Sequence, residues 1–440
     1  MFGKILIANR GEIAARISRA CRELGVRSVA VFSDADRWAL HTRGADESYY
    51  LGPSPASDSY LRADLLIAAA RASGAEAIHP GYGFLAENPE FATACREAGI
   101  VFIGPSPEAM RLLGDKAAAK KLARDVGVPV VPGYDGASQD IGDLSAAAEE
   151  VGFPLLIKAT AGGGGRGMRL VRARAEFDAA LESARREAQA AFGNRAVLLE
   201  RAISNPRHVE FQILADHHGT IVHLGERDCS VQRKHQKVIE ESPSPAMTPA
   251  LRAEMGAAAV SLTQAAGYQN AGTVEFLLTE EGRYYFLEVN TRLQVEHPVT
   301  EQVTEIDLVR EQLRVAAGEP LAWGQEDVRL QGHAIECRVY AEDPARDYAA
   351  STGLLTTFAP PTGEGIRNDL GVEAGDEITP FYDSMIAKLI VSAPDRATCV
   401  QRALEAVRMY RVEGVVTNLD LLRSVLDTSA FRLGEASTDF

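Results

Sequence analysis

Lysine is scarce in this chain, cysteine and tryptophan are scarcer, and no apolar run is long enough to span a bilayer. The 440 residues hold eight lysines, five cysteines and two tryptophans. Cys21, Cys95, Cys229, Cys337 and Cys399 are scattered, odd in number and never spaced Cys-x-x-Cys. That argues against a disulfide framework or a thiolate zinc site and for a reducing compartment. The first apolar run begins almost at Met1, so neither a leader nor a membrane segment is expected, and the cytoplasm is the expected location. The net charge of -15 comes without any stripe of lysine or arginine, which argues against nucleic acid or an anionic membrane as partner. An anionic substrate must then be held by local positive charge, and Lys116, Lys158 and Lys237 fall inside the motifs described next.

The richest segment runs from Glu288 to Pro298, with Asn290, Arg292, Gln294 and Glu296 between. The aromatic run before it, Arg283 to Leu287, reads as a strand. Gly272 to Leu278, which carries Glu275, reads as its hairpin partner across the turn Glu280-Glu281-Gly282. Side chains alternate along a strand, so Glu288, Asn290 and Arg292 are expected on one side if the extended run continues. Two carboxylates on adjacent strands beside an amide oxygen make a platform for Mg2+, which takes one or two carboxylates plus phosphate oxygens. Upstream, the apolar run Pro154 to Ile157 leads through Lys158 into the glycine run Gly162 to Gly165. Such glycines let backbone N–H groups close on phosphates. Neither the Walker pattern nor the dinucleotide fingerprint is present.

Short apolar runs alternate with amphipathic stretches up to about residue 113, the βαβ rhythm of a parallel sheet. Lys4–Ala8, Ser28–Phe32, Ala77–Ile78 and Val101–Ile103 are the expected strands, with Gly11–Leu24 and Ser59–Ser73 as helices. Ala173–Phe192 and Pro249–Ala266 read as covering helices further on. Near the other end, His333–Tyr340, Gly353–Phe358 and Met385–Val391 read as strands and Ala397–Tyr410 as a helix.

Taken in chain order, these segments resemble the biotin carboxylases of the ATP-grasp superfamily. The resemblance rests on Lys4 to Glu12, His79 to Asn88, Gly114-Asp115-Lys116, the glycine run, Asn205 to Glu210, Glu226 to Lys237, Glu288 to Pro298, and Phe381 to Lys388. Ala161, Glu241 to Pro245 and Arg367 to Gly371 make it closest to the carboxylase module of acyl-CoA carboxylase α chains or pyruvate carboxylase. The fold class it implies is mixed α/β and α+β. An N-terminal parallel-sheet domain would span 1–113, an ATP-grasp domain 114–329 with a mobile glycine-rich lid at about 131–203, and a β-rich C-terminal domain 330–440.

The implied reaction is ATP-dependent carboxylation of biotin by bicarbonate through carboxyphosphate. Lys116, Lys158, Gly164 and Gly165 would contact the ATP phosphates, and Met168 with Glu200, Arg201, Ala202 and Ile203 the adenine. His208, Gln232 and His235 would reach the ribose side. Glu275 and Glu288, assisted by Asn290, would hold Mg2+ or Mn2+. Lys237, Arg292, Gln294 and Val295 would bind bicarbonate, Glu296 would be the general base, and Arg338 with Tyr82 and Gly83 would face biotin.

No Met-Lys-Met biotin attachment site occurs, so the implied partners are a biotinylated carrier and a carboxyltransferase. Glu364 stands where free-standing relatives carry an aromatic dimer contact, which argues against a homodimer of that kind. Two other readings stay open here. An ATP-grasp ligase acting on an amine gives no reason for His79 to Asn88 or Arg338, and a non-catalytic nucleotide-binding module would tolerate loss of Arg292 and Glu296.

Overall fold

The computed structural model describes residues 1–160, 168–234 and 236–440. The N-terminal strands β1 (Lys4–Ile7), β2 (Arg27–Ser33), β3 (Glu47–Gly52), β4 (Ala77–His79) and β5 (Val101–Phe102) form a parallel sheet in the order β3-β2-β1-β4-β5. All four residues of β1 are buried, as expected for a central strand covered on both faces. The reading of the sequence missed β3, an edge strand that leaves alternate residues partly in solvent and so shows no continuous apolar run. The helix expected from Ser59 starts at Ala63.

Strand order reverses between β1 and β4, the place where such sheets open a crevice. Asn9 ties its two lips together, with Nδ2 donating to the carbonyls of Pro80 and Tyr82, each at 2.7 Å. This contact requires glycine at 81. The backbone there has φ +63°, and a Cβ would lie 2.9 Å from Asn9 Nδ2.

A small antiparallel sheet follows, built from β6 (Gly133–Tyr134), β7 (Leu155–Ala159), β8 (Arg169–Val171) and β9 (Val197–Arg201) in the order β6-β9-β7-β8. It has a core of its own, in which Leu155, Ile157 and Leu199 pack on Leu144 and Phe177 from two helices.

The largest layer contains β10 (Arg207–Ala215), β11 (Ile221–Arg233), β12 (Gln236–Ser242), β13 (Asn270–Leu278), β14 (Tyr284–Asn290), β15 (His333–Tyr340), β16 (Ile366–Leu370) and β17 (Met385–Ala393). They form one antiparallel sheet in the order β14-β13-β10-β11-β12-β15-β17-β16. The boundary expected near 330 therefore falls between strands of a single sheet. The strand expected over Gly353–Phe358 is two short ones, Gly353–Leu354 and Thr357–Ala359, which pair with different partners.

Alternation on β10 and β13 sorts the side chains by face. Val209, Phe211, Val274 and Phe276 pack with Ala119, Ala123, Met255, Ala259 and Leu262 from the helices Lys116–Asp125 and Pro249–Ala265. Glu210 and Glu275 project from the other face. Phe276 is fully buried at the centre of this packing. Phe276→Ala is expected to cost about 3–5 kcal/mol, read as a lower urea midpoint. An unchanged midpoint would mean that this face does not hold the acidic face in place.

Candidate active site

The expected hairpin is present, and its register puts Glu275 directly opposite Glu288. On its other side Glu275 faces Glu210, and Glu210 faces Arg227. One row across four strands thus reads Glu288, Glu275, Glu210, Arg227. Like charges directly opposite one another destabilise a sheet, so the row requires cations. Arg227 is fully buried and spends its donors within the row and beside it. Nε donates to Glu210 Oε1 at 2.6 Å, Nη1 to Gln212 Oε1 at 2.7 Å and Thr300 Oγ1 at 3.0 Å, and Nη2 to Thr273 Oγ1 at 3.0 Å. Lys237, on β12, reaches three acids with one ammonium: Glu210 Oε2 at 2.5 Å, Glu275 Oε1 at 3.1 Å and Glu296 Oε1 at 2.7 Å.

Glu296 is fully buried and stands at the N-terminal end of the helix His297–Thr304. Its second oxygen accepts from Arg338 Nη2 at 3.0 Å, while Arg338 Nε donates to Glu240 Oε1 at 2.6 Å. Burial alone would push the Glu296 carboxyl up, but Lys237, Arg338 and Arg227 overcome it and hold the group well below the usual carboxylate range. Burial would likewise raise Glu275, and Lys237 and His208 reverse that. His208 Nε2 lies 2.8 Å from Glu275 Oε2, and this carboxylate raises the imidazole pKa against the effect of burial. Burial would lower the Lys237 ammonium, yet the carboxylates around it keep it well above its ordinary value.

β14 ends at Asn290, so Arg292 is not part of the strand as expected. It still reaches the same site, with Nη2 on Asn290 Oδ1 at 3.1 Å, Nη1 on Gln294 Oε1 at 3.2 Å and Nε on Glu87 Oε2 at 2.9 Å. Gln294 and Asn290 donate to Glu275 Oε1 at 3.0 and 2.7 Å. Gln232 Nε2 lies 3.0 Å from His208 Nδ1. Lys116 Nζ is 3.6 Å from Glu288 Oε2, and Lys158 and Lys120 both contact the Glu200 carboxylate. Arg201 ends β9 and Ala202 follows it, their amides donating to the carbonyls of Pro132 and Pro154, and Ile203 comes next, half-buried. Met168 is half-buried too. Tyr82 and Gly83 lie on the crevice lip held by Asn9, and the Val295 carbonyl accepts from Lys388. Gly164, Gly165 and His235 lie outside the described residues.

The structure adds Glu210, Arg227, Glu240 and Glu87, to which the sequence alone assigned no role. An acid inside an apolar run, as at Glu210 between Val209 and Phe211, was the available signal. Cys229 also reaches the site: Sγ is 3.8 Å from Glu296 Oε1, and burial raises its thiol well above the ordinary value.

The donor set suits Mg2+. Glu288, the least buried acid of the row, is engaged among the described residues only by Lys116, and its carboxylate faces Glu275 across the hairpin. Hard oxygens of this kind are what Mg2+ takes besides phosphate. Asn290 joins them if its amide turns over, since Oδ1 now accepts from Arg292. The groups His208-Glu210-Glu275 and Glu210-Cys229-Glu296 also have ligand atoms within 4.8 Å of one another, but the Lys237 ammonium already supplies the cation there.

A small antiparallel sheet carrying a phosphate-grade lysine, together with a large sheet carrying paired carboxylates, defines an ATP-grasp ligase. Three family models match in succession: biotin carboxylase, N-terminal domain, over residues 1–110; carbamoyl-phosphate synthase L chain, ATP binding domain, over 115–323; and biotin carboxylase C-terminal domain over 336–440. A pyruvate carboxylase subunit of Methanothermobacter thermautotrophicus is 52% identical over 440 residues, covering 100% of this chain and 89% of that protein. Biotin carboxylase of Halalkalibacterium halodurans is 51% identical over 440 residues, covering 100% and 97%. The biotin carboxylase domain dimer of Hydrogenobacter thermophilus 2-oxoglutarate carboxylase, solved with MgADP, ADP and bicarbonate, superposes with a TM-score of 0.96 at 48% identity, covering 100% of this chain and 97% of that one. The chain belongs to the biotin carboxylase family, whose reaction is the ATP-dependent carboxylation of biotin, the first half-reaction of pyruvate and acyl-CoA carboxylases.

Burial pushes the Glu240 carboxyl up to about 7 from 4.5, against the pull of Arg338. An acid whose pKa is higher folded than unfolded binds more protons in the native state, so stability falls as pH rises between those two values. Glu240→Gln is expected to flatten that decline. Thermal unfolding at pH 5 and pH 8 checks it, and an identical decline in both proteins would contradict the assignment.

Proposed function

We propose that this chain binds ATP against Lys116 and Lys158, with Met168 and the Glu200–Ile203 segment at the adenine and His208, Gln232 and His235 toward the ribose. Gly164 and Gly165 close over the phosphates. Glu275 and Glu288, with Asn290, hold Mg2+, which when bound neutralises charge on the phosphates. Bicarbonate sits between Lys237, Arg292, Gln294 and the Val295 amide, where a planar guanidinium suits a planar oxyanion.

Glu296 removes the bicarbonate proton, a bicarbonate oxygen attacks the γ-phosphorus, and ADP leaves. The carboxyphosphate formed breaks into carbon dioxide and phosphate within the closed site. Phosphate then takes the proton from the ureido nitrogen of biotin, and that nitrogen attacks carbon dioxide. Tyr82 and Gly83 flank the biotin ring, and Arg338 stabilises the negative charge that develops on its oxygen. The observation that carries this reading is Glu296, a fully buried carboxylate that stays ionised because Lys237 at 2.7 Å and Arg338 at 3.0 Å hold it.

The biotin is supplied on a separate carrier, and a partner carboxyltransferase sets the final acceptor, pyruvate or an acyl-CoA. The division into 1–113, 114–329 and 330–440 and the cytoplasmic location belong to the same reading. Among the described residues no helix is long and apolar enough to cross a membrane. Glu364 is exposed, so a dimer contact that buried it would carry an unpaired charge, and this argues against such a dimer.

Glu296→Gln keeps the shape and loses the base. Bicarbonate-dependent ATP hydrolysis is expected to fall about 10²- to 10⁴-fold with nucleotide binding retained. Near wild-type hydrolysis would refute the role. Arg338→Ala is expected to lose carboxybiotin formation on the order of 10²-fold, as for one preorganised donor, and to unfold at a lower temperature because Glu240 and Glu296 lose a cation, while ATP affinity holds. Normal carboxylation of free biotin would contradict it.

A further inference from the structure

Two of the sequence motifs, Lys4 to Glu12 and Phe381 to Lys388, have no part in the mechanism so far, and the fold brings their last residues together. Lys388, on β17, has no exposed side-chain surface, and its Nζ lies 3.5 Å from Glu12 Oε2. Its sole hydrogen bond among the described residues goes to the carbonyl of Val295, at 2.8 Å. A buried ammonium is costly unless it is paired and hydrogen-bonded, and the acids near it are imperfect partners. Neither oxygen of Glu12 nor either oxygen of Glu336 has a hydrogen bond in the described structure. Asp369, opposite Lys388 on β16, is taken by Arg367 at 3.0 and 2.7 Å. The ring of Tyr82 lies 5.7 Å from Nζ.

Lys388 is also directly opposite Arg338 in the register of β15 and β17, so the two cations are neighbours on one face. They grip consecutive residues. Arg338 holds the side chain of Glu296, and Lys388 holds the peptide that leads into it. A carbonyl fixed in this way fixes the rotation of the whole 295–296 peptide, because the unit is planar. We propose that Lys388 is a positioning residue: by anchoring the peptide between Val295 and Glu296 beside the ring of Tyr82, it sets the base in line with bicarbonate and keeps the biotin lip in register with it. This inference rests on the reading of Glu296 as the base. Glu12 and Glu336 serve to keep a charged ammonium in a dry place. Burial pushes the Glu12 carboxyl up to about 7 even with Lys388 beside it, so losing the lysine makes a charge at Glu12 costlier still.

The test separates positioning from stability with two variants. Lys388→Met keeps the length of the side chain and loses the charge. Its kcat for bicarbonate-dependent ATP hydrolysis with free biotin is expected to fall about 100-fold, the scale of a small misplacement of a reacting group, with KM for ATP unchanged. It is also expected to unfold at a lower temperature, because it leaves Glu12 buried without a cation. The double variant Lys388→Met with Glu12→Gln removes that uncompensated carboxylate. It is expected to regain stability while kcat stays low, and Glu12→Gln alone is expected to keep most of kcat. A Lys388→Met enzyme with near wild-type kcat would overturn the proposal, as would a double variant whose activity returns together with its stability. An active Lys388→Met beside an inactive Glu296→Gln refutes this inference alone, whereas an active Glu296→Gln refutes the assignment of the base.

Discussion

Three carboxylates in one row on adjacent strands are the constraint around which the rest of the site is built. Glu288, Glu275 and Glu210 are register partners, and two of them have 5% or less of their side chains exposed. Uncompensated, such a row would either protonate or unfold the sheet. Arg227 closes one end of it, and Lys237 stands over the middle. The half-exposed end at Glu288 is where the compensation is least complete, and that is where a divalent cation has room. A metal held at Glu288, as proposed, and the lysine over Glu275 would be two answers to the same electrostatic demand.

The same logic explains how a chain with net charge -15 can present positive charge to anionic substrates. Among the described residues, the lysines of the site are each parked on a carboxylate: Lys116 near Glu288, Lys158 on Glu200, Lys237 across Glu210, Glu275 and Glu296. None is a bare charge. In the proposed reaction an incoming phosphate or bicarbonate would compete with a carboxylate already in place.

Much of this was legible in the sequence because the signals were local. Glu275 and Glu288 sit inside apolar runs separated by a turn, so period-two alternation alone predicts that they meet. Residues whose meeting depends on sheet order could not be read that way. Glu240 and Arg338 are 98 positions apart and touch because β12 lies beside β15, and Lys388 reaches Glu12 across nearly the whole chain. Arg292 reaches this cluster by a route that strand alternation does not supply. The strand stops at Asn290, and Glu87 from the N-terminal domain, not strand geometry, brings the guanidinium round. The edge strand β3 escaped because half-exposed strands carry no continuous apolar run.

A carboxylate held far below its ordinary pKa is a weak base, and this gives the arrangement around Glu296 its functional sense. In the free protein Lys237 and Arg338 keep Glu296 ionised but also hold its electrons close. In the proposed reaction both cations have second duties, Lys237 toward bicarbonate and Arg338 toward biotin. As each shares its charge with a substrate, less remains on Glu296, and its proton affinity rises. The base is therefore weakest when the site is empty and strongest when both substrates are in place. On the proposed reading, an interaction that first appears as a structural necessity, the neutralisation of a buried acid, would also restrain ATP from being spent on water.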